Sequence, residues 1–184
     1  MGFHTFDADR ADKLEDESRY RYLSREELVE AIDPEPDAAL ADLGSGTGFY
    51  TDDVAPFAGE IRAVDVQSAM HDAYREKGLP EDVSLVTADV ADLPFSDGDL
   101  DGAFSTMTFH EFASEAALSE VARVLRDGGR FVVADWSGAG RGESGPPVAE
   151  RYDRDEAVEL LESAGFDVER ADERPETVLI VASR

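Results

Sequence analysis

Three glycines spaced two residues apart form the clearest chemical signal in this chain. Gly44, Gly46 and Gly48 lie in the segment ALADLGSGTGFYTDDVA, between an apolar stretch and a stretch of helical character. Glycine lets a ligand approach the backbone closely, and the N–H groups that open the next helix are free to bind it. The spacing therefore predicts a cofactor loop, with a tight turn that binds nothing as the alternative. The dinucleotide pattern G-x-G-x-x-G fails, because its sixth position is Phe49.

Two acidic residues accompany this loop. Asp42 comes directly before it, and Asp65 lies 21 residues after Gly44 in the segment AVDVQSAM. A carboxylate at Asp42 would repel a pyrophosphate but suits an ammonium group. Asp65 has the spacing of a carboxylate that accepts hydrogen bonds from both hydroxyls of a ribose. Several adenosine cofactors contain such a ribose, so Asp65 alone does not separate them.

The segment FSTMTFHEF contains the residue best suited to proton transfer. His110 has an ordinary pKa of about 6.5 and could act as a general base; the alternative is that it caps or packs the loop. Glu111 could orient His110 or line an acceptor pocket, although adjacent side chains seldom face each other and Glu111 could simply be exposed. Phe109 and Phe112 are candidates for the same pocket, with packing in the core as the alternative.

Trp136 and the loop after it complete the predicted acceptor site. Trp136 is predicted to form a pocket wall, and residues 137–147, SGAGRGESGPP, to move as part of a lid. The other half of the lid could come from aromatic residues near the amino terminus, with a solvated terminus as the alternative. These residues are His4, Phe6, Tyr20 and Tyr22.

Apolar stretches of strand length alternate with helical stretches along the chain. Strands are predicted at about 38–43, 61–66, 83–88, 100–106 and 130–136, and helices at about 47–57, 67–77, 114–126 and 154–164. This alternation predicts one doubly wound α/β domain, with a mostly parallel sheet covered on both faces. Two late segments, FDVERAD and TVLIVAS, follow without a helix between them and should pair as an antiparallel hairpin. Ligands bind such sheets beyond the carboxyl ends of the strands.

Helix-boundary signals refine this outline. Ser24 and Glu27 predict the start of a helix that ends before Pro34. Residues 1–33 are therefore predicted to be a helical or cap segment, and residues 34–184 the cofactor-binding domain.

Two later helices carry similar signals. Asp153 and Glu156 predict a capping box, whereas the helix at 114–126 is expected to end at Gly128 and Gly129. The connection 89–99 is short for a crossover helix, so a single turn is expected there.

Four segments in this order resemble the motifs of class I S-adenosylmethionine-dependent methyltransferases. DLGSGTG resembles motif I, AVDV carries the ribose acid, VTADVADLPF resembles the adenine-binding motif, and LRDGGRFVVADW resembles a late motif that turns into the fifth strand. Within this class, the chain is most similar to the small methyltransferases of ubiquinone and menaquinone biosynthesis, the methyltransferase type 11 group. The resemblance implies a Rossmann-like sheet of about seven strands in the order 3-2-1-4-5-7-6.

The same resemblance implies contacts to S-adenosylmethionine. Asp42 would face the ammonium group of the methionine moiety, Asp65 the ribose, and Asp89 the adenine amino group, while Val90 would cover the adenine ring. No metal site is predicted. The full predicted set is Asp42, Gly44, Ser45, Gly46, Gly48, Asp65, Val66, Asp89, Val90 and Thr106.

The resemblance implies a methyltransferase that acts on a small acceptor, aromatic or quinone-like. The alternatives are an RNA methyltransferase, a protein that binds S-adenosylmethionine without catalysis, and a nicotinamide-dependent oxidoreductase. The oxidoreductase is supported only by the predicted fold and by Asp65. No DPPY-type signature follows the predicted fourth strand, which disfavours methylation of bases or of protein glutamine. The chain has no cysteine, which excludes cysteine-dependent arsenic methylation.

The composition is strongly acidic. A formal charge of −26 arises from 43 acids and 17 bases, and only Lys13 and Lys77 are lysines. Self-repulsion on this scale is tolerable where salt screens it, which predicts a protein from a high-salt cytoplasm, such as that of a halophilic archaeon. An ordinary acidic protein is the alternative. The charge disfavours binding of nucleic acid, and the polar amino terminus and the lack of a long apolar run favour a cytoplasmic protein without a membrane span. The oligomeric state is left open.

Overall fold

Seven strands form one sheet in the part of the chain that the structure describes. The computed structural model describes residues 13–184, so the predicted roles of His4 and Phe6 lie outside the described residues. The order β3-β2-β1-β4-β5-β7-β6 confirms the predicted topology, and β7 runs opposite to the other six strands of this sheet. The strands are β1 Ala39–Leu43, β2 Glu60–Asp65, β3 Val83–Thr87, β4 Leu100–Thr106, β5 Leu125–Trp136, β6 Asp167–Glu173 and β7 Thr177–Ser183.

In the described part of the chain, six helices cover the two faces of this sheet. Buried side chains of the first three helices share one core with Leu40 and Phe104, and those of the last three share another with Ala41 and Ala103. Successive strand residues point to opposite faces, which separates the two cores. The helices are α1 Arg25–Ile32, α2 Phe49–Val54, α3 Ser68–Lys77, α4 Phe109–Phe112, α5 Glu115–Val124 and α6 Arg154–Ser163.

The capping signals in the sequence are confirmed. Ser24 accepts a hydrogen bond from the backbone N–H of Glu27 at 3.2 Å. Asp153 and Glu156 form the reciprocal capping box, with distances of 2.9 and 3.0 Å. These local bonds fix where α1 and α6 begin, because each satisfies a backbone donor that the helix leaves free.

Two helix boundaries differ from the prediction. The helix expected at 47–57 is the shorter α2, followed by a 3₁₀ turn at Ala55–Phe57 that contains Pro56. The helix expected to reach residue 126 ends at Val124, because Leu125 is already extended, fully buried and paired with Leu100 of β4. Pairing across the sheet thus overrides the glycine stop signal, and the predicted boundary at 126 was wrong. The short α4 was not predicted.

The amino-terminal part of the described chain packs on the sheet. Leu23, Leu28 and Ile32 are buried in the same core as α2. The division between residues 33 and 34 stays a prediction. Within residues 13–184, no helix has the length and apolar character needed to cross a membrane.

Candidate functional site

The glycine loop lies at the carboxyl end of β1, closely packed on both sides. A Cβ atom on Gly44 would lie 2.7 Å from Oγ1 of Thr108, and one on Gly48 would lie 2.0 Å from the ring of Tyr74. Both glycines also have φ near +80°, a conformation that other residues rarely adopt. The sequence therefore needs glycine here for space as well as for conformation.

Asp65 holds the loop from the end of β2. Its Oδ2 accepts a hydrogen bond from the N–H of Gly46 at 2.9 Å, and its Oδ1 accepts one from the N–H of Gln67 at 2.8 Å. The backbone N–H groups of Gly44 and Ser45 both donate to the carbonyl of Val64 at 2.9 Å. The predicted ribose carboxylate is thereby fixed beside the predicted cofactor loop.

Asp42 is almost completely buried, at 1% exposure. Its Oδ2 accepts a hydrogen bond from the hydroxyl of Thr51 at 2.6 Å, whereas Oδ1 has no hydrogen-bond partner among the described residues. Burial raises the pKa of Asp42 to about 7; the hydrogen bond from Thr51 and the charge of Arg19 oppose the rise, and the charge of Asp65 adds to it.

The unpartnered oxygen of Asp42 bears on whether a cationic group of a ligand fits this site. The unpartnered Oδ1 offers a place for an ammonium donor, which would offset the cost of burying the carboxylate. A second buried oxygen in the loop, Oγ of Ser45, also lacks a partner among the described residues. The residues present therefore fit the methionine moiety predicted for this position.

The other predicted cofactor residues lie on the same edge of the sheet. Val66 follows β2 and is 54% exposed. Asp89 is exposed and accepts a hydrogen bond from the N–H of Ala91 at 2.8 Å, while Val90 is buried in the core below. Thr106, which ends β4, is buried, and its carbonyl accepts a hydrogen bond from the hydroxyl of Thr108 at 2.9 Å. Their roles toward a cofactor stay predictions.

His110 is held by Asp135 at the adjoining ends of β4 and β5. Asp135 accepts a hydrogen bond from the backbone N–H of His110 at 2.6 Å and from that of Trp136 at 2.8 Å. Nδ1 of His110 lies 2.9 and 3.0 Å from the two carboxylate oxygens. Two residues earlier, the hydroxyl of Thr108 lies 3.2 Å from the carbonyl of Gly44. These bonds bring His110 to the edge of the glycine loop.

The charges around His110 shift two pKa values. Burial by itself lowers the pKa of His110, but the hydrogen bond and charge of Asp135, with the charges of Glu111 and Glu150, outweigh it and raise the pKa above its ordinary value. Burial raises the pKa of Glu111 to about 7, which the charge of His110 opposes and those of Asp135 and Asp65 increase.

The residue that orients His110 is therefore Asp135, which the sequence did not assign to that role. Glu111, the candidate named from the sequence, has its Oε1 3.9 Å from Nε2 of His110, beyond hydrogen-bond distance. Asp135 is 25 residues from His110, so no local spacing connects them. The available signal was its position at the end of a predicted strand.

Phe109 is fully packed in the core. It contacts Phe112 and Tyr152, with ring centroids 5.7 and 6.1 Å apart. This agrees with the alternative interpretation from the sequence, and a role of Phe109 in the acceptor pocket stays a prediction.

Trp136 contacts the amino-terminal segment and the glycine-rich loop together. The rings of Trp136 and Tyr22 are 4.8 Å apart, and the hydroxyl of Tyr22 donates to Oγ of Ser144 at 2.8 Å. Tyr22 from the amino-terminal segment and Ser144 from the glycine-rich loop thus meet beside Trp136. Tyr20 instead lies on α2, where its ring is 4.9 Å from that of Phe49 and its hydroxyl donates to Asp53 at 2.8 Å.

A buried ion pair anchors the glycine-rich loop, and neither member was identified from the sequence. Arg151 and Glu176 are both buried, with Nη1 and Oε2 3.5 Å apart. The carboxylate accepts hydrogen bonds from the backbone N–H groups of residues 141–143, and Nε of Arg151 donates to the carbonyl of Pro146 at 2.9 Å. Motion of the loop as a lid stays a prediction, and it would have to break these bonds.

The segment before α1 covers the glycine loop from outside. A Cβ atom on Gly46 would lie 3.2 Å from Leu14, and the hydroxyl of Thr47 donates to Glu15. The guanidinium of Arg19 lies over the ring of Phe49, 4.8 Å from its centroid. The outer side of the predicted cofactor loop is therefore built from residues outside the predicted 34–184 domain.

Comparison with known families and proteins gives consistent matches. A family model described as a methyltransferase domain matches residues 41–133. A demethylmenaquinone methyltransferase from Corynebacterium kroppenstedtii is 33% identical over 116 residues, which cover 62% of this chain and 49% of that protein. The O-methyltransferase cnsE from Penicillium expansum is 30% identical over 161 residues, which cover 79% of this chain and 58% of that protein. The chain thus spans about half the length of the curated relatives it matches.

Among solved structures, a SAM-dependent methyltransferase from Aquifex aeolicus has the same fold over almost the whole length of both chains. The TM-score is 0.87 with 28% sequence identity, and the match covers 97% of this chain and 99% of that one.

Proposed function

Since this chain belongs to the methyltransferase domain family, with S-adenosylmethionine as its cofactor, we propose that it methylates a small acceptor of aromatic or quinone-like character. The class I resemblance stated from the four motifs is confirmed by the family match and by the Aquifex aeolicus structure. The haloarchaeal origin, inferred from the acidic composition, and the cytoplasmic location, inferred from the polar amino terminus and the lack of a long apolar run, stay predictions.

One observation carries the proposal. His110, oriented by Asp135, lies where β4 and β5 end, two residues after Thr108 contacts the glycine loop. A methyl acceptor bound there would have a proton acceptor on one side and the cofactor loop on the other.

The names of two relatives support the class of acceptor. The Corynebacterium relative is named for a quinone, and the Penicillium relative is named an O-methyltransferase. Both names suggest a small, ring-containing or hydroxylated acceptor. The charge of −26 argues against RNA as the substrate, since phosphate contacts need basic residues.

The chain's own residues divide the work of binding. Asp42 would accept the ammonium group through its unpartnered Oδ1, and Asp65 the ribose hydroxyls. Asp89 would lie at the adenine amino group and Val90 against the adenine ring, as the sequence predicts, and the exposed side chain of Val66 would line the same site. When bound, the cofactor supplies an activated methyl group on a sulfonium. Trp136 and Tyr22 would exclude water from that methyl group.

Calorimetric titration tests the cofactor assignment first. S-adenosylmethionine, S-adenosylhomocysteine and NAD are titrated in molar potassium chloride into the wild type, into Asp65→Ala, and into Asp72→Ala as an exposed acidic control on α3. We expect micromolar binding of the first two ligands, lost in Asp65→Ala and retained in the control, and no binding of NAD. Binding of NAD alone would overturn the proposal.

Methyl transfer from labelled S-adenosylmethionine to naphthoquinols and simple phenols then tests the acceptor class. Tight cofactor binding without transfer to any member of this panel, but with transfer to RNA, would replace the small acceptor by a nucleic acid. Binding with no transfer to either would favour a binding protein without catalysis.

A further inference from the structure

The contacts of Asp135 determine which nitrogen of His110 carries the proton. Both oxygens of Asp135 already accept backbone N–H groups, from His110 and Trp136. An ionised carboxylate can only accept, so Nδ1, which lies within 3.0 Å of both oxygens, has to donate. In the neutral ring, Nε2 is then the basic nitrogen. It lies 3.9 Å from Glu111, too far for a hydrogen bond.

We propose that Asp135 is the positioning residue of methyl transfer, that it presents Nε2 of His110 as the base, and that the methylated atom is the oxygen of an acceptor hydroxyl of phenol or enol type. This inference rests on the function proposed above. A phenol has a pKa of about 10 and is a poor nucleophile until its proton is removed, whereas a neutral amine needs no base. A histidine that is held with Nε2 as its basic nitrogen therefore favours an acceptor hydroxyl over an acceptor amine.

The step conserves atoms and charge. The bond from the acceptor oxygen to the methyl carbon forms as the carbon–sulfur bond breaks, the electron pair stays on sulfur, and the hydroxyl proton passes to Nε2. His110 then carries one positive charge, which the adjacent carboxylate of Asp135 stabilises. The imidazolium later returns its proton to solvent. Glu111 lies beside Nε2, and its side chain is more exposed to solvent than that of His110.

Charged groups on three elements face His110. They are Asp135 from β5, Glu111 from α4 and Glu150 from the turn Val148–Glu150, and all three raise the pKa of His110 against the effect of burial. A base works only when neutral, so the rate should rise with pH through this raised pKa. Removal of Asp135 should lower the pKa of His110 and yet slow the reaction, because the ring loses its orientation.

Nitrogen-15 NMR of the histidine side chains tests the tautomer in the wild-type protein. The chain has three histidines, and His110→Asn identifies the signals of His110. At pH values above the pKa of His110, we expect the ring to carry its proton on Nδ1. The Nε2 signal should then have the chemical shift of an unprotonated imidazole nitrogen. A proton on Nε2, or an equal mixture of tautomers, would overturn the proposal without any need for an acceptor.

Kinetics of Asp135→Asn test the positioning role. The asparagine keeps an oxygen for one backbone N–H, but its amide no longer fixes Nδ1 as the donor. We expect kcat to fall by about 10²- to 10⁴-fold and the acceptor KM to change little. The pH limb, which is the rise of kcat with pH, should move to lower pH. Glu150→Gln is the matched control: it removes a charge that faces His110 from an exposed site, so the limb should move slightly and kcat stay within about twofold.

Calorimetry separates this inference from the proposed function. If wild type fails to bind S-adenosylmethionine, the proposed function fails, and this inference with it. If wild type and Asp135→Asn bind it equally, a fall in kcat without movement of the pH limb would assign Asp135 a purely structural role. A product methylated on carbon or nitrogen would overturn the assignment of the acceptor atom.

Discussion

Asp42→Asn should make the ligand-free protein more stable at alkaline pH while it weakens cofactor binding. The carboxylate of Asp42 is 1% exposed, and one of its oxygens has no hydrogen-bond partner among the described residues. Such a charge disfavours the folded state unless a cation compensates it. An asparagine keeps the shape of the side chain and can still bond to Thr51, but carries no charge.

The magnitude follows from the pKa of Asp42. Burial raises this pKa from 3.8 to about 7 on folding. Since the folded value is the higher one, this group contributes stability that is fully present below pH ~4 and is lost as the pH rises through ~7. The full pKa shift corresponds to a change of about 4 kcal/mol in the free energy of unfolding. We expect ~2 kcal/mol to be measured, because water penetration reduces the cost of a buried charge.

Urea denaturation at pH 5 and pH 8, in the same molar potassium chloride, measures the effect. We expect Asp42→Asn to be nearly neutral or slightly destabilising at pH 5, and more stable than the wild type by ~2 kcal/mol at pH 8. Titration of S-adenosylmethionine into the wild type should release close to one proton near pH 6, because the ammonium group favours the ionised carboxylate. Equal destabilisation by the variant at both pH values, with no proton released on binding, would refute the reasoning.

Three further predictions concern stability. Gly48→Ala should cost ~3 kcal/mol or more in urea denaturation, because the new Cβ would meet the ring of Tyr74; Gly78→Ala, with positive φ but open space around it, should cost only ~1 kcal/mol, and equal costs would contradict the packing argument. Arg151→Ala should lower the midpoint of urea denaturation and expose the glycine-rich loop to protease, since it leaves the Glu176 carboxylate with its backbone N–H donors but without its cationic partner; a loop as resistant as in the wild type would contradict this. Thermal melting between 0.1 and 2 M potassium chloride should show a marked rise in Tm, as expected for a charge of −26, and a flat profile would remove the argument for a high-salt origin.

The sequence by itself determined the sheet, the glycine loop and the capped starts of α1 and α6. These features depend on patterns within about twenty residues: alternating strand and helix stretches, glycines at fixed spacing, and caps such as Asp153 with Glu156. Local patterns suffice because backbone conformation and capping bonds involve near neighbours in the chain. The strand order followed from the resemblance, and the structure agrees with it.

Tertiary structure alone decided which side chains meet at the predicted acceptor site. Asp135 reaches His110 because β4 and β5 are parallel neighbours in a fixed register, and the boundary of α5 moved because Leu125 pairs with Leu100. The covering of the glycine loop by Glu15 depends in the same way on contacts between distant segments. Register and packing are set by the whole sheet, so no stretch of local sequence encodes these contacts.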